Sequence, residues 1–259
     1  MRTLIIGDLH LQAGLILPWI KNVIIQETIQ KVVFIGDYFD QWGQCSNDRL
    51  YLSELNELLD FNRYAIANGI EVDWLVGNHD APYILNTPEV YSSDNREVRM
   101  QIQDGLKLLK PKVTTKVGHF QVSHAGLMLD RIYKNIDFTT PAGYLELDHL
   151  NQEDGHHFGG YASPLWVRPD ALMSSKSHYK HQIIGHTPTL SVEHLKGNIE
   201  VYNVDTFSLD RNLTPIGDGS VLIVNEDDSV NVVVHPHWKL VAFDAAREHY
   251  FNTQKVVTK

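Results

Sequence analysis

Three short apolar segments of this chain end in the same way, and this repetition constrains the fold more than any other sequence feature. Each is a run of β-branched, aromatic or leucine residues followed by a glycine and an oxygen-bearing side chain. They read TLIIGD at 3–8, VVFIGD at 32–37 and WLVGN at 74–78. Such runs are typical of buried strands, and glycine permits a sharp turn after each. The pattern predicts two carboxylates and an amide along one edge of a sheet.

Longer segments with helical spacing separate these strands. They cover residues 17–30 and 48–68, and four leucines between Leu52 and Leu59 form one apolar stripe. Strands that alternate with helices are the pattern of an α/β fold. No repeat or linker divides the sequence, so one domain, 1–259, is expected. Further strands are predicted at 112–117, 120–123, 182–184, 199–204, 220–224 and 230–234.

Two of these later strands end in histidine, as FQVSH at 120–124 and QIIGH at 182–186. Open α/β sheets bind ligands at the carboxyl ends of their strands, so five strand ends supply candidate metal ligands. This mixed oxygen and nitrogen set is too large for one tetrahedral ion, and imidazole with carboxylate suits manganese, iron or zinc. The candidate ligands are Asp8, His10, Asp37, Asn78, His124 and His186.

Two divalent ions therefore suit the set, and manganese is the expected metal, with iron or zinc as alternatives. If Asp37 bridges the ions, Asp8 and His10 complete one site. Asn78, together with the histidines of the two later strands, completes the other. A bridged pair of ions about 3.5–4 Å apart clamps the attacking and leaving oxygens of phosphoryl transfer.

Composition excludes several other classes of protein. The chain has 43% apolar residues, a formal net charge of −10 and one cysteine, Cys45. These values argue against disorder, a disulfide framework and tight binding to a nucleic-acid backbone. No apolar stretch approaches the roughly 20 residues that span a bilayer, and the first ten residues, interrupted by Asp8 and His10, are not expected to form a signal peptide. A cytoplasmic location and no membrane partner are expected.

The motifs GDLH, GDYFD, GNHD, SHAG and GHTP occur in this order between Gly7 and Pro188. Together they resemble the calcineurin-like metallophosphoesterase superfamily. The lone histidine of GHTP is similar to the phosphoprotein phosphatases and the symmetrical dinucleoside-tetraphosphate hydrolases. The resemblance implies an α/β fold of the four-layer αββα type, with two mixed β-sheets flanked by helices and a dinuclear metal centre at their edge.

Two residues depart from the phosphatase pattern. Gln41 stands where those phosphatases have an arginine that holds phosphate, and Val76 stands where another arginine is common. Arg168, in the segment SPLWVRP, is the candidate for binding substrate phosphate, because small relatives place a similar Trp-x-Arg element in this region. The alternative is a surface arginine beside a buried tryptophan.

The resemblance also assigns proton transfer to His79, the residue after the candidate ligand Asn78. In the family pattern the last Asp of GDxxD holds that histidine, and here it is Asp40. A nearby carboxylate raises the pKa of a histidine and fixes its orientation, which suits a general acid. Asp80 and Asp205 are expected to support the site, whereas His156 and His157 are predicted to lie in a surface loop.

The expected function is a metal-dependent phosphatase that hydrolyses phosphomonoesters, of protein Ser/Thr residues or of small molecules, with a hydroxide activated by the dinuclear centre. A dinucleoside polyphosphate hydrolase or a phosphodiesterase on the same site is the alternative. A non-catalytic interaction module is a more remote alternative. Proteins of this fold that have lost their activity usually lack some of the metal ligands, whereas all the candidate ligands are present here. The expected partner is a phosphorylated protein or nucleotide, recognised by loops within 42–49, 81–99 and 130–168, and nothing in the sequence indicates an oligomeric state.

Overall fold

A computed structural model of the chain describes residues 1–128, 136–152, 162–247 and 250–251. His156 and His157, with the whole of their predicted surface loop at 153–160, lie outside the described residues. The elements in chain order are β1 (Thr3–Ile6), α1 (Ala13–Gln26), β2 (Lys31–Phe34), α2 (Asp48–Ala67), β3 (Glu71–Trp74), α3 (Ala81–Leu85), α4 (Arg96–Leu109), β4 (Thr114–Val117), β5 (Phe120–Ser123), α5 (Pro141–Asn151), α6 (Pro169–Ser174), β6 (His181–Ile184), β7 (Glu193–Lys196), β8 (Glu200–Asn203), β9 (Ser220–Val224), β10 (Val230–Val234) and α7 (Trp238–Arg247).

The first sheet contains the three strands that the sequence marks by their common ending. Its order is β10-β9-β1-β2-β3. The strands β1, β2 and β3 are parallel, whereas β9 and β10 pair antiparallel. Ile6 lies beside Phe34, which lies beside Trp74. Because these residues end neighbouring parallel strands, the turns that follow them emerge at the same edge of the sheet.

The second sheet supplies the two histidine-bearing turns. Its order is β4-β5-β6-β8-β7, with β5, β6 and β8 parallel and antiparallel strands at both edges. His124 directly follows β5 and His186 lies shortly after the neighbouring β6. The backbone N–H of Gly185 donates to the carbonyl of His124 at 2.7 Å. This hydrogen bond keeps the two turns side by side.

The two sheets pack face to face through an apolar cluster. Ile5, Val33 and Leu75 enter it from the first sheet, and Val122 and Ile183 enter it from the second. The strands β1 and β2 are buried on both faces, which is why they read as continuous apolar runs instead of alternating ones.

Helices cover the outer faces of both sheets. Leu4 and Val32 of the first sheet share a large core cluster with apolar residues of α1 and α2. On the second sheet, Ile184 and Val201 pack in a smaller cluster with Leu172 of α6. These layers confirm the predicted four-layer αββα arrangement of two mixed β-sheets.

Some elements differ from the sequence prediction. The predicted loops 81–99 and 130–168 contain the short helices α3 and α5, each with a proline in its first turn. Such short helices lack the repeated apolar spacing that marks a longer helix. The polar strand β7, with the sequence EHLK, lies at a sheet edge and therefore carries no buried alternation. Among the helices in the described ranges, none is both long and apolar enough to cross a membrane.

Candidate functional site

The five strand-end turns bring all six candidate metal ligands to one edge of the two packed sheets. Five of the six are buried, and the remaining residue, His10, has a side chain that is 17% exposed. Burial of this many ionisable and polar groups is costly unless they are paired or bind an ion. The six residues are Asp8, His10, Asp37, Asn78, His124 and His186.

Asp37 lies at the centre of this group. Its Oδ2 atom is 3.7 Å from Nε2 of His10 and 3.4 Å from Nε2 of His124. Its Oδ1 atom accepts a hydrogen bond from the backbone N–H of His79 at 2.9 Å. One carboxylate therefore faces histidines from both sheets, which is the position a bridging ligand needs.

Backbone carbonyls determine which nitrogen of His10 and His124 carries the proton. Nδ1 of His10 lies 2.9 Å from the carbonyl oxygen of Asp40, and Nδ1 of His124 lies 3.2 Å from that of Ile35. A carbonyl only accepts, so Nδ1 donates and Nε2 of the neutral ring presents a lone pair. Nε2 of His124 then faces the Oδ1 atom of Asn78 at 2.9 Å. A cation would stabilise two acceptors that face each other in this way.

His186 presents a buried nitrogen without a partner. Its backbone N–H donates to the carboxylate of Asp8 at 3.1 Å. Its Nε2 atom has no hydrogen-bond partner within the described part of the chain. A buried nitrogen left in this state costs about 1–3 kcal/mol. Coordination of a metal ion would satisfy it.

Four buried carboxylates at the site repel one another. Burial raises the pKa of Asp8 well above its ordinary value, and the charges of Asp205 and Asp37 raise it further. Burial, with the charge of Asp37, raises the pKa of Asp80 and of Asp205 to about 7. Burial also acts to raise the pKa of Asp37, but three neighbouring histidines lower it below its usual range. A divalent cation would relieve this repulsion.

The glycines before these ligands allow a close approach that no other residue permits. A Cβ atom on Gly77 would lie 2.0 Å from Oδ1 of Asp37, and one on Gly185 would lie 2.2 Å from Oδ1 of Asp8. Both distances are far below van der Waals contact. The repeated glycines therefore let ligands from neighbouring strands meet.

Four site residues have a left-handed backbone, which residues other than glycine rarely adopt. Each such conformation costs about 1–3 kcal/mol and persists only where the surroundings hold it. The turns are therefore held in shape by their contacts instead of by local preference. The residues and their φ angles are His10 at 42°, Asp37 at 52°, Asp40 at 66° and His186 at 67°.

His79 lies beside the ligand group and is held by Asp40. Its Nδ1 atom is 3.1 Å from Oδ2 of Asp40, and the ring of Tyr91 lies 4.3 Å from its own, centroid to centroid. Burial lowers the pKa of His79, but Asp37 and the hydrogen bond to Asp40 outweigh it and raise the pKa to about 9. The predicted pair of His79 and Asp40 is thus brought together.

Two tyrosines that belong to no motif contact the same carboxylate. The hydroxyl of Tyr51 donates to Oδ1 of Asp40 at 2.9 Å, and the hydroxyl of Tyr83 donates to the same oxygen. They come from α2 and α3, and both side chains are buried. Their place in the sequence gives no signal of this contact, because only the tertiary fold brings them together.

Asp80 supports the turns instead of facing the ligand group. Its Oδ2 atom accepts hydrogen bonds from the backbone N–H groups of Asp37 at 2.7 Å and Gly77 at 2.9 Å. Its Oδ1 atom accepts from the N–H of Tyr38 at 3.0 Å. One buried carboxylate therefore ties together the turns that follow β2 and β3.

The strand β8 and the residues that follow it also support the His186 turn. The backbone N–H of Thr189 donates to the carbonyl of Asp205 at 2.9 Å. The side-chain amide of Asn203 donates to the carbonyl of Thr187 at 2.8 Å. The two bonds attach the turn to β8 and the residues that follow it.

Arg168 reaches the same turn from the start of α6. Its Nη1 atom donates to the carbonyl of His186 at 3.2 Å and to the hydroxyl of Thr187 at 3.1 Å. The side chain is exposed, and Nε and Nη2 make no hydrogen bond to the described residues, so they could bind a further ligand. Gln41 instead donates to the carbonyl of His10 at 3.3 Å, and Val76 is fully buried.

Among the described residues, two groups of His, Cys, Asp or Glu side chains are close enough to hold an ion, and both include Asp37. One contains His10, Asp37 and His79, and the other contains Asp37, His124 and His186; within each group the ligand atoms lie within 4.8 Å of one another. The donor types, the unpartnered nitrogen and the crowded carboxylates fit divalent ions. The first group includes His79, which the sequence assigns to proton transfer, and Asp8 approaches it with Oδ2 3.9 Å from Nε2 of His10.

Comparison with known proteins points to one family. The profile of the family described as calcineurin-like phosphoesterase matches residues 1–238. No match is found among curated protein sequences.

Two solved structures give similar folds. A cold-active protein-tyrosine phosphatase of the psychrophile Shewanella sp. has 16% sequence identity, with 89% of this chain and 80% of that chain covered and a TM-score of 0.56. A protein serine/threonine phosphatase from Saccharomyces cerevisiae, with similarity to human phosphatase PP5, has 16% sequence identity. The comparison covers 91% of this chain and 81% of that chain, with a TM-score of 0.51. At this identity the similarity concerns the fold.

Substitution of Gly185 by alanine tests whether the close approach to Asp8 positions the ligands. Because the new Cβ atom would overlap the carboxylate, we expect Gly185→Ala to weaken Mn²⁺ binding by about 10–100-fold, as loss of a supporting contact does at other metal sites. Calorimetric titration of metal-free protein measures this change.

Gly69→Ala is the matched control. Gly69 has a left-handed backbone, with φ of +67°, so alanine strains the chain there, but its Cβ atom would meet nothing within 4 Å. It should lower thermal stability and leave Mn²⁺ affinity unchanged. Unchanged affinity in Gly185→Ala would contradict the role given to this glycine.

Proposed function

The chain belongs to the calcineurin-like phosphoesterase family, metal-dependent hydrolases of phosphoester bonds, and we propose that it is a phosphatase acting on phosphomonoesters at a dinuclear metal centre. The position of Asp37 between the two candidate metal-binding groups is the observation that carries this proposal. Asp8 and His10 serve one ion, Asn78 and the two histidines of the second sheet serve the other, and manganese is the proposed metal.

The bound ions would supply a hydroxide near neutral pH and neutralise charge on the phosphoryl oxygens. The protein orients the histidine ligands for them. Nδ1 of His10 and Nδ1 of His124 donate to backbone carbonyls, which leaves each Nε2 atom to face the ligand group. Burial lowers the pKa of His10, which favours its neutral form. No side chain has to act as nucleophile, so the remaining residues need only position the ester and protonate its leaving group.

His79 is proposed to donate that proton. Asp40 holds its Nδ1 atom, and the surrounding carboxylates raise its pKa to about 9, so that the ring is protonated at neutral pH. A protonated imidazole donates from both nitrogens, so Nε2 can supply a proton while Nδ1 stays bound to Asp40. This arrangement supports a general acid more than a metal ligand, which must be neutral.

Arg168 is proposed to bind the substrate phosphate. It already contacts the turn that carries His186, and its guanidinium group is exposed beside the ligand group. Guanidinium binds phosphate oxygens through paired hydrogen bonds, and two donor positions are not used in contacts with the turn. It would take the place of the arginines that Gln41 and Val76 replace.

The proposed substrates are phosphorylated proteins or small phosphomonoesters, including nucleotides. The lone histidine of the GHTP turn supports this choice over a phosphodiester. A dinucleoside polyphosphate hydrolase stays the nearest alternative, because the same ligands and the same acid would serve it.

The first experiment compares p-nitrophenyl phosphate with bis-p-nitrophenyl phosphate, using metal-free protein reconstituted with Mn²⁺. We expect a preference for the monoester and two bound metal ions per chain. In Asp37→Asn, both the metal content and the hydrolysis should be lost, because the central ligand loses its charge. Steady-state kinetics and elemental analysis measure the two quantities.

Asp73→Asn is the matched control, since Asp73 is another buried aspartate of the first sheet and pairs with Lys31 and Lys112. It should lower stability and keep the metals. A diester preference would move the proposal to a phosphodiesterase. Absence of metal-dependent hydrolysis on both esters would leave the interaction module as the better hypothesis.

His79→Asn separates the acid from the ligand role. We expect turnover of an alkyl phosphate to fall by about 10²–10⁴-fold, the usual contribution of a general acid, while two metal ions per chain persist. His235→Asn, at a buried histidine after β10, is the control and should change neither quantity. Loss of one metal ion in His79→Asn would make His79 a ligand instead.

Arg168→Ala tests the phosphate contact. Loss of a charge-assisted hydrogen bond of about 1.5–3 kcal/mol should raise KM for a phosphomonoester by roughly 10–100-fold. Metal content should not change. Arg63→Ala, at an exposed arginine on α2, is the control. If KM and turnover of Arg168→Ala equal those of the unchanged protein, this arginine does not bind substrate.

A further inference from the structure

The carboxylate of Asp40 accepts hydrogen bonds from two tyrosines in addition to its contact with His79. Its Oδ2 atom faces Nδ1 of His79 at 3.1 Å, and its Oδ1 atom accepts from the hydroxyls of Tyr51 and Tyr83. The Asp40 side chain is 1% exposed, so water does not compete for these positions. One oxygen of this carboxylate therefore contacts the histidine, and the other binds the two tyrosine hydroxyls.

We propose that Tyr51 and Tyr83 are positioning residues that set the orientation of Asp40 and, through it, the direction in which His79 presents its proton. The inference rests on the proposed function of the site. Rotation of the carboxylate away from His79 would break both tyrosine hydrogen bonds at once. The pair thus restricts Asp40 to the orientation that holds the imidazole.

Both tyrosines are suited to this role because they remain donors. Burial raises the pKa of Tyr51 and of Tyr83, and the negative charge of Asp40 raises both further. Each hydroxyl consequently stays protonated at neutral pH. Tyrosine also brings a rigid ring, so its hydroxyl moves little once the ring is packed.

The same hydroxyls attach a segment that covers His79. The hydroxyl of Tyr83 accepts a hydrogen bond from the backbone N–H of Ser93 at 2.9 Å, and that of Tyr51 lies 3.4 Å from the carbonyl of Tyr91. The ring of Tyr91 packs on His79 with 4.3 Å between centroids. The tyrosine pair therefore holds the imidazole from two sides, through its carboxylate partner and through the ring that covers it.

The leaving group distinguishes this role from a structural one. An alkyl phosphate such as O-phosphoserine needs a proton for its poor leaving group, whereas dinitrophenyl phosphate has a leaving group that departs without one. For Tyr51→Phe, Tyr83→Phe and the double variant, each with Mn²⁺, we expect turnover of the alkyl ester to fall by about tenfold or more, a part of the acid's usual contribution. Turnover of the dinitrophenyl ester should stay within about threefold of the unchanged protein, because this ester needs no acid assistance. The metal content should not change.

Tyr250→Phe is the matched control, because Tyr250 also donates from its hydroxyl to a buried carboxylate, that of Glu54 on α2. It should lower thermal stability by an amount comparable to Tyr51→Phe and leave both esters unaffected. Tyr51→Phe leaves the Ser93 contact intact, so it provides a second test if Tyr83→Phe folds poorly.

Three outcomes would count against the inference. An equal fall on both esters would give the tyrosines a structural role only, and unchanged kinetics in the double variant would remove any role. In both cases the proposed function would still hold if His79→Asn lowers turnover of the alkyl ester as expected. If His79→Asn itself behaves like the unchanged protein on the alkyl ester, the proposed acid is wrong and this inference is overturned with it.

Discussion

The burial of several carboxylates at one edge of two packed sheets is the constraint on which the rest of this structure depends. Asp8, Asp37 and Asp205 lie close enough to raise one another's pKa or to require histidines that compensate for the charge. Such a group is unfavourable in a protein interior unless cations accompany it. The parallel strands, the glycine turns and the contact of the two sheets serve to bring these groups together.

The site is held by a surrounding layer of contacts, because its own backbone is strained. Left-handed conformations at Asp37, Asp40 and His186 would relax in an isolated turn. Asp80 fixes the first of these turns through the N–H groups of Asp37, Tyr38 and Gly77. Part of the stability of the packed sheets therefore offsets the strain in the turns that carry the ligands, which is a common relation between fold and function.

The residues around the ligand group divide into two sides with different chemistry. On one side, backbone carbonyls accept from Nδ1 of His10 and of His124, so that Nε2 of each ring faces the ligand group, and burial lowers the pKa of His10 and of His186. On the other, His79 is surrounded by carboxylates that raise its pKa to about 9. One histidine type therefore suits metal binding and the other suits proton donation, although both lie within a few ångströms of Asp37. The electrostatic surroundings, not the residue type, separate the two roles.

The sequence by itself determined the parallel strands, the order of the motifs and the family, since strand ends followed by glycine and a ligand residue are local patterns. The family's motifs in the sequence also predicted the pairing of His79 with Asp40. Only the tertiary structure decided the contacts of Tyr51 and Tyr83 with Asp40, the support given by Asp80 to two turns, and the place of Arg168 beside His186. These contacts join residues that are 11 to 43 positions apart in the chain. Their residues have no periodicity or spacing in common, because packing between layers, and not local conformation, brings them together.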